Sequence, residues 1–312
     1  MWKRYKKMRY AAGGIDWREI GYVLAKRLAQ HDYDVEIIAT GMDMSMINPG
    51  LVSEGKADFG IDRNWVINWA IKGFEPFEKK MDNLRGVATI PSLNSYTIGV
   101  TPVLRADLGI NSYKELVEKR LPLKLKSNHY RMHHSGVEFG QVLKEYGSSW
   151  EDLFSWGCRQ IIGPDGYVPE LDTPEKVIEA MEKGQVDGGW RFPGIWKIAE
   201  KIELKFLSLD DGVADRLNKK YGHIIINVRP NVLFEGQEAF TTWGTPGQFI
   251  FTREDAPDEF VFTLAKVINE NSLELAWCQP GLVGIPGRAL ANMWGVPMHE
   301  GAREYYKSID WM

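Results

Sequence analysis

Apolar and polar positions along the chain alternate between short apolar runs and stretches with helical spacing. Arg9 to Ala12 reads as a first strand, and Gly13-Gly14 turns the chain into a helix. That helix carries apolar residues at Ile20, Val23, Leu24 and Leu28, one face of a 3.6-residue period. Asp16, with Glu19 three residues on, has the form of a capping box at its start. Val35 to Ala39 is a second strand, followed by Thr40-Gly41 and a methionine-rich turn. A helix over Asn48 to Ser53 leads to a strand ending near Asp62. Leu84 to Thr89 and Tyr96 to Val100 are further strands. Strands alternating with helices predict a mostly parallel sheet.

Thr101-Pro102 reads as a crossing into a second unit of the same kind. Leu123 to Lys126 is strand-like, and Gly136 to Tyr146 is helical, with Val137, Gln141, Val142 and Tyr146 suitably spaced. Ser149 to Gly166 reads as a short helix, a short strand and a loop. Thr173 to Met181 is a helix, Ile195 to Lys201 another, Lys205 to Leu209 a strand, Asp211 to Tyr221 a helix and His223 to Val228 a strand. Asn231 to Gly247, rich in glycine, proline and aromatic residues, reads as the return crossing. Phe249 to Thr252 is a strand expected to pair with Tyr96 to Val100. Asp258 to Leu275 is a long helix beginning after Pro257. The tail alternates the turns Gly281, Gly284-Ile285-Pro286-Gly287 and Gly295-Val296-Pro297 with short helices.

Inside this pattern one unit occurs twice. The first copy is Glu54-Gly55-Lys56-Ala57-Asp58-Phe59-Gly60-Ile61-Asp62, and the second is Lys183-Gly184-Gln185-Val186-Asp187-Gly188-Gly189-Trp190-Arg191. Each follows a helix, and each glycine can end it, because only glycine enters the left-handed region cheaply. The run after each aspartate reads as a short buried strand. Two α/β units on one plan follow. Alignment on the glycines places Asp62 opposite Arg191, both at the carboxyl end of a strand, where open α/β sheets bind ligands.

Composition narrows the class. With 312 residues, 44% hydrophobic and 26% charged, the chain can hold two ordinary domains. A net charge of −4 gives no reason to expect nucleic acid as a partner. No apolar run of about 18 residues is present, so no membrane insertion is expected. The basic start Trp2-Lys3-Arg4-Tyr5-Lys6-Lys7 lacks the apolar stretch of a signal peptide. Either Met1 is the native start and the protein is cytoplasmic, or a leader has been removed. The two cysteines, Cys158 and Cys278, read as free thiols rather than a disulfide framework. Of 12 tryptophans, Trp17, Trp65, Trp190 and Trp243 follow predicted strands and are candidates to line a pocket.

Arg131 and Arg191 are the leading ligand-binding candidates, because guanidinium offers a planar fork that matches carboxylate. Asp16 and Asp62 could orient those arginines, bind a ligand amine or hydroxyl, or act as acid or base; Asp16 could equally cap its helix. His129, His133 and His134 lie within six residues. The first two have the i, i+4 spacing of a helical metal pair. The segment reads as a loop without nearby cysteine or acidic ligands, so no metal is expected. Each histidine could hydrogen-bond a ligand or move a proton. No nucleophile elbow or P-loop is present, and Gly13-Gly14 lacks the downstream dinucleotide fingerprint; no cofactor is expected.

Ala39-Thr40-Gly41, the helix after it and Glu54 to Gly60 resemble the solute-binding subunits of TAXI-type TRAP transporters. So does Gly295-Val296-Pro297-Met298-His299-Glu300-Gly301-Ala302-Arg303-Glu304-Tyr305-Tyr306. The order of elements is similar over nearly the whole chain. The resemblance implies a type II periplasmic-binding-protein-like fold: two doubly wound α/β domains joined by two crossing segments. Residues 1–101 with 246–312 would form the first, and residues 102–245 the second. It implies a cleft between them that closes on a small organic anion, TRAP membrane subunits as partners, and a periplasmic location if a leader was removed. The chain departs from the family pattern at three ligand-facing places: Gly14-Ile15-Asp16-Trp17, Asp62-Arg63, and Ser127 to Ser135 in place of a glycine- and serine-rich turn. These departures imply a ligand other than the family's usual one. The expected binding residues are Gly14, Asp16, Trp17, Thr40, Gly41, Asp62, Arg63, Asn128, His129, Arg131, His134, Ser135, Trp190, Arg191 and Phe192. The expected ligand is a carboxylate with an apolar or aromatic body. The alternative is a cytoplasmic enzyme on the same fold, such as a cofactor-independent decarboxylase, with His129, His133, His134 or Asp62 carrying the proton.

Overall fold

The computed structural model describes residues 6–41, 46–91, 101–163, 168–244, 247–278 and 287–312, except for the side chains of residues 15 and 16. In chain order its strands are β1 (Lys6–Ala12), β2 (Tyr33–Ala39), β3 (Phe59–Asp62), β4 (Leu84–Pro91), β5 (Val103–Arg105), β6 (Lys124–Lys126), β7 (Arg159–Ile161), β8 (Gly188–Gly189), β9 (Leu204–Phe206), β10 (Ile224–Val228), β11 (Phe240–Gly244) and β12 (Gly247–Arg253). The α-helices are α1 (Ile15–Leu28), α2 (Asn48–Ser53), α3 (Asn64–Lys72), α4 (Tyr113–Lys119), α5 (His134–Glu145), α6 (Trp150–Ser155), α7 (Pro174–Glu182), α8 (Ile195–Ala199), α9 (Asp211–Tyr221), α10 (Asp258–Glu270), α11 (Ser272–Ala276) and α12 (Glu300–Ser308).

The chain divides into two units, residues 1–97 with 245–312, and residues 98–244. The first holds a five-stranded sheet of order β2-β1-β3-β12-β4. The second holds a five-stranded sheet of order β7-β6-β8-β5-β9 and a two-stranded ribbon of β10 and β11. The two orders are one plan, with β6, β7 and β8 standing where β1, β2 and β3 stand. In each, the first three strands are parallel, and the fourth position runs antiparallel to both neighbours. The expected mostly parallel sheet is therefore a mixed one. The antiparallel strand is β5 in the second unit and β12 in the first, each the first strand after the chain enters from the other unit. It follows no helix of its own sheet, so the crossover rule that keeps βαβ strands parallel does not act on it.

The repeated segment behaves identically in both units. Gly55 and Gly184 take left-handed φ values of 70° and 62°. Lys56 N donates to Leu51 O at 2.8 Å, and Gln185 N to Ala180 O at 2.8 Å, satisfying carbonyls left over at the ends of α2 and α7. The aspartate then grips the neighbouring strand. Asp58 N donates to Arg9 O while its carboxylate accepts from Arg9 N at 2.7 Å. Asp187 N donates to Lys124 O while its carboxylate accepts from Lys124 N at 2.8 Å. So the aspartates set the register of β3 on β1 and of β8 on β6.

The core of the first unit includes an aromatic cluster. Tyr10 and Phe59 have ring centroids 4.9 Å apart, and Phe260 of α10 meets Phe59 at 5.6 Å and Tyr33 at 5.1 Å. In the second unit Phe206 stacks on Phe240 at 4.5 Å beside Val177, Met181 and Ile198. Burying side chains of this size contributes about 1.5–3 kcal/mol each.

Several expected elements are revised. α1 begins at Ile15 behind Gly14, whose φ of 51° and ψ of 159° are open to glycine, so Asp16 lies inside the helix rather than at its cap. The long helix starts at Asp258 behind Pro257 as expected, but breaks after Glu270. Asn271 spends its side-chain amide on Val267 O at 2.8 Å and restarts the chain as α11. Asn231 to Gly247 is not crossing throughout: it contains β11 and the first residue of β12. Helix α3 was not foreseen, although Asn64, Asn68 and Lys72 fall at i, i+4 and i+8; the apolar residues around that stripe, Trp65, Val66, Ile67, Trp69 and Ala70, are all buried. β5 and α4 also lie where only a crossing was expected. The Tyr96 to Val100 strand, its pairing with β12, the methionine-rich turn, the residues before Lys6 and the Gly281 to Pro286 turns lie outside the described residues.

Candidate functional site

In the first unit the carboxyl ends of β1 and β3 meet the start of β12. Gly13 lies so close to the end of β2 that a Cβ there would stand 3.0 Å from Gly41 O. Thr40 donates its hydroxyl to Asn48 Oδ1 at 2.8 Å, and Asn48 donates to Ile61 O at 2.9 Å, tying the loop after β2 to β3. Asp62 ends β3, fully buried, and its carboxylate accepts from Arg63 N at 2.7 Å. The Arg63 guanidinium donates to Gly247 O at 3.3 Å and lies 5.8 Å from the Trp17 ring. The Trp17 indole N–H donates to Gln248 at 2.7 Å. A Cβ on Gly247 would fall 2.0 Å from Ile90 O, so only glycine brings β12 against β4 there. Trp17, Asp62 and Arg63 are thus brought together with Gln248, which was not foreseen. The side chain of Asp16 lies outside the described residues.

In the second unit the corresponding place is the carboxyl ends of β6 and β8. Asn128 lies just beyond β6, buried, and its carbonyl oxygen accepts from Ser135 Oγ at 3.0 Å and from the Trp190 indole at 3.2 Å. His133 caps α5, its Nδ1 accepting from Ser135 N at 3.1 Å and contacting Ser135 Oγ. His134, in the first turn, meets Glu138 at 3.1 Å, and the other Glu138 oxygen accepts from the Trp243 indole at 2.9 Å. His223 meets Gln141 at 2.8 Å, and burial pushes its imidazole down to about 4, Glu138 opposing.

Lys126 ends β6. Its ammonium donates to Arg191 O at 2.8 Å and to Trp190 O at 3.3 Å, and it lies 5.5 Å from the Phe192 ring. Burial, then the Arg191 charge, brings it down to about 8. Arg191 is exposed and held at φ 57°, a left-handed conformation that costs a non-glycine residue about 1–2 kcal/mol. Strain of this kind gathers at functional sites.

Other expected residues are placed differently. The Arg131 guanidinium pairs with Glu151 at 2.9 Å, both side chains 59% exposed, so it joins a surface ion pair rather than the Asn128–Ser135–Trp190 group. His129 accepts from the backbone of Arg131 and Met132 and stacks on Tyr130, so with His133 it forms a turn and not a helical metal pair. No group of three or more His, Cys, Asp or Glu side chains placed to hold a metal occurs among the described residues. The tryptophans expected as pocket walls are packed: Trp65, Trp190 and Trp243 are at most 2% exposed, and Trp190 lies against Phe139 and Trp150. Two grooves on the second unit, of about 580 and 470 Å³, contain none of the expected binding residues. Lys126 escaped the sequence reading although the strand Leu123 to Lys126 was legible. As the last residue of that strand it meets the criterion that singled out Asp62 and Arg191.

No curated protein matches the chain. Among solved structures, the methylphosphonate complex of PhnD1 from Prochlorococcus marinus (MIT 9301) is similar with a TM-score of 0.53 at 12% identity, over 98% of this chain and 99% of that one. A protein from Bordetella bronchiseptica RB50 is similar with a TM-score of 0.52 at 13% identity, over 97% and 98%. These likenesses show the fold, which is mixed α/β and periplasmic-binding-protein-like, of type II. No helix among the described residues is long and apolar enough to cross a membrane. The match that spans nearly the whole sequence, residues 13–309, is to a family of this kind, and by it the chain belongs to the NMT1-like family.

Proposed function

We propose that this chain is a transporter's solute receptor, which binds a small organic anion and releases it unchanged. The observation that carries the reading is the matched placement of charge on a repeated plan. Arg63 follows β3 in one unit, while in the other Lys126 ends β6 and Arg191 lies just beyond β8. Ligands of open α/β sheets bind at this end, and guanidinium and ammonium groups there select anions. The first-turn amides of α1, behind Gly14, add donors. Arginine forks favour a carboxylate; the methylphosphonate held by PhnD1 is likewise a small oxyanion.

The finer reading is a TAXI-type receptor serving TRAP membrane subunits from the periplasm, and it rests on the motifs at residues 39–60 and 295–306. The histidines support a receptor over a decarboxylase. His129, His133 and His134 are each engaged in local hydrogen bonds that shape the start of α5. The test is native mass spectrometry of the purified protein, followed by long incubation with whatever acid it retains. Stoichiometric recovery of unchanged acid is expected. Catalytic loss of the acid would overturn the receptor reading.

A further inference from the structure

The carboxyl end of β6 carries a positive charge that no carboxylate among the described residues balances. The Lys126 ammonium rests on two backbone carbonyls and one aromatic face. On the strands packed against β6, the charged groups are Arg159 of β7 and Asp187 before β8. Both stand level with Lys124, two residues back, and the Asp187 carboxylate accepts from Lys124 N. A half-buried ammonium that rests on carbonyl dipoles is only partly compensated for its lost hydration. A bound oxyanion would supply the missing charge.

We propose that Lys126 is the anion anchor of this site, taking an oxyanionic head group of the solute together with Arg191. The inference rests on the receptor reading and adds the group that reads the ligand's charge. Its consequence is proton-linked binding. An anion beside Lys126 raises its affinity for a proton, so binding above about pH 8 draws in a proton and weakens as pH rises.

The experiment is calorimetric titration of the full chain with four probes: acetate, benzoate, inorganic phosphate and methylphosphonate. It uses wild type, Lys126→Met and Lys126→Arg, at about pH 7 and about pH 9.5. The best probe should bind wild type about tenfold or more weaker at the higher pH. Lys126→Met should bind weakly at both. Lys126→Arg should bind with no such pH dependence, because guanidinium stays charged; that rescue also answers any loss caused by misfolding of the Met variant. Equal binding by wild type and Lys126→Met would overturn the anchor and leave the receptor reading standing. Failure of all four probes to bind wild type at millimolar concentration would overturn the anchor and the anionic part of the receptor reading together.

Discussion

Removing the repeated aspartates tests whether the repeat is a structural device or part of the site. Asp187 makes one charge-assisted bond, 2.8 Å from Lys124 N. Asp58 makes the same bond at 2.7 Å to Arg9 N and adds contacts to the Arg9 guanidinium at 3.2 and 3.3 Å. A hydrogen bond to a charged acceptor contributes about 1.5–3 kcal/mol, and truncation leaves the strand N–H unsatisfied. The Arg9–Asp58 pair adds little, about 0.2–1 kcal/mol, because the Arg9 side chain is 41% exposed and screened by solvent. Asp187→Ala should therefore cost about 2 kcal/mol, and Asp58→Ala slightly more, with the Asn variants in between. Urea unfolding followed by circular dichroism and tryptophan fluorescence gives the midpoints, with two transitions allowed for two units. Anion affinity should be unchanged, since Asp187 stands level with Lys124, two residues before Lys126 on β6. The reasoning fails if Asp187→Ala is as stable as Glu54→Ala, an exposed control, or if it abolishes anion binding while stability is retained.

Further outcomes follow from the same geometry. His223 is buried, with its imidazole pushed down to about 4, so the unfolded chain binds its proton first and stability is lost as pH falls from about 6.5 towards 4. The loss should reach about 3 kcal/mol, and acid unfolding of His223→Gln should lack it; an identical acid limb would contradict the burial argument. Lys126 has a folded value of about 8, below the ordinary 10.5, so stability should rise with pH between those values in the ligand-free protein. Lys126→Met should remove that rise in thermal melts. Gly247→Ala would place a Cβ 2.0 Å from Ile90 O at φ 154°, whereas Gly184→Ala, at φ 62°, meets no atom within 4 Å. The first should lower the melting temperature well beyond the second, whose cost is confined to the left-handed conformation, about 1–2 kcal/mol; equal shifts would refute the steric account.

The sequence by itself determined the plan of the molecule. A glycine that must turn left-handed, an aspartate three residues on and a buried run after it are local requirements. The chain meets them twice, at Gly55–Asp62 and Gly184–Arg191, with the same bonds each time. Helices α2, α7 and α9 were legible within a residue or two, because their turn glycines, prolines and capping residues sit beside them in the chain. What tertiary structure decided was everything set by a neighbour distant in sequence. Whether an arginine faces a surface carboxylate, as Arg131 does, or a buried carbonyl and indole, as Arg63 does, depends on Glu151, Gly247 and Trp17, which no local pattern brings near. α3 carries a polar stripe at Asn64, Asn68 and Lys72, yet the fold buries Asn64 along with Trp65, Val66, Ile67, Trp69 and Ala70, a depth of burial that only the packed unit decides. Lys126 looked like any strand-end lysine until Trp190, Arg191 and Phe192 arrived from β8's end, because charge environment is a property of the packed sheet and not of the strand.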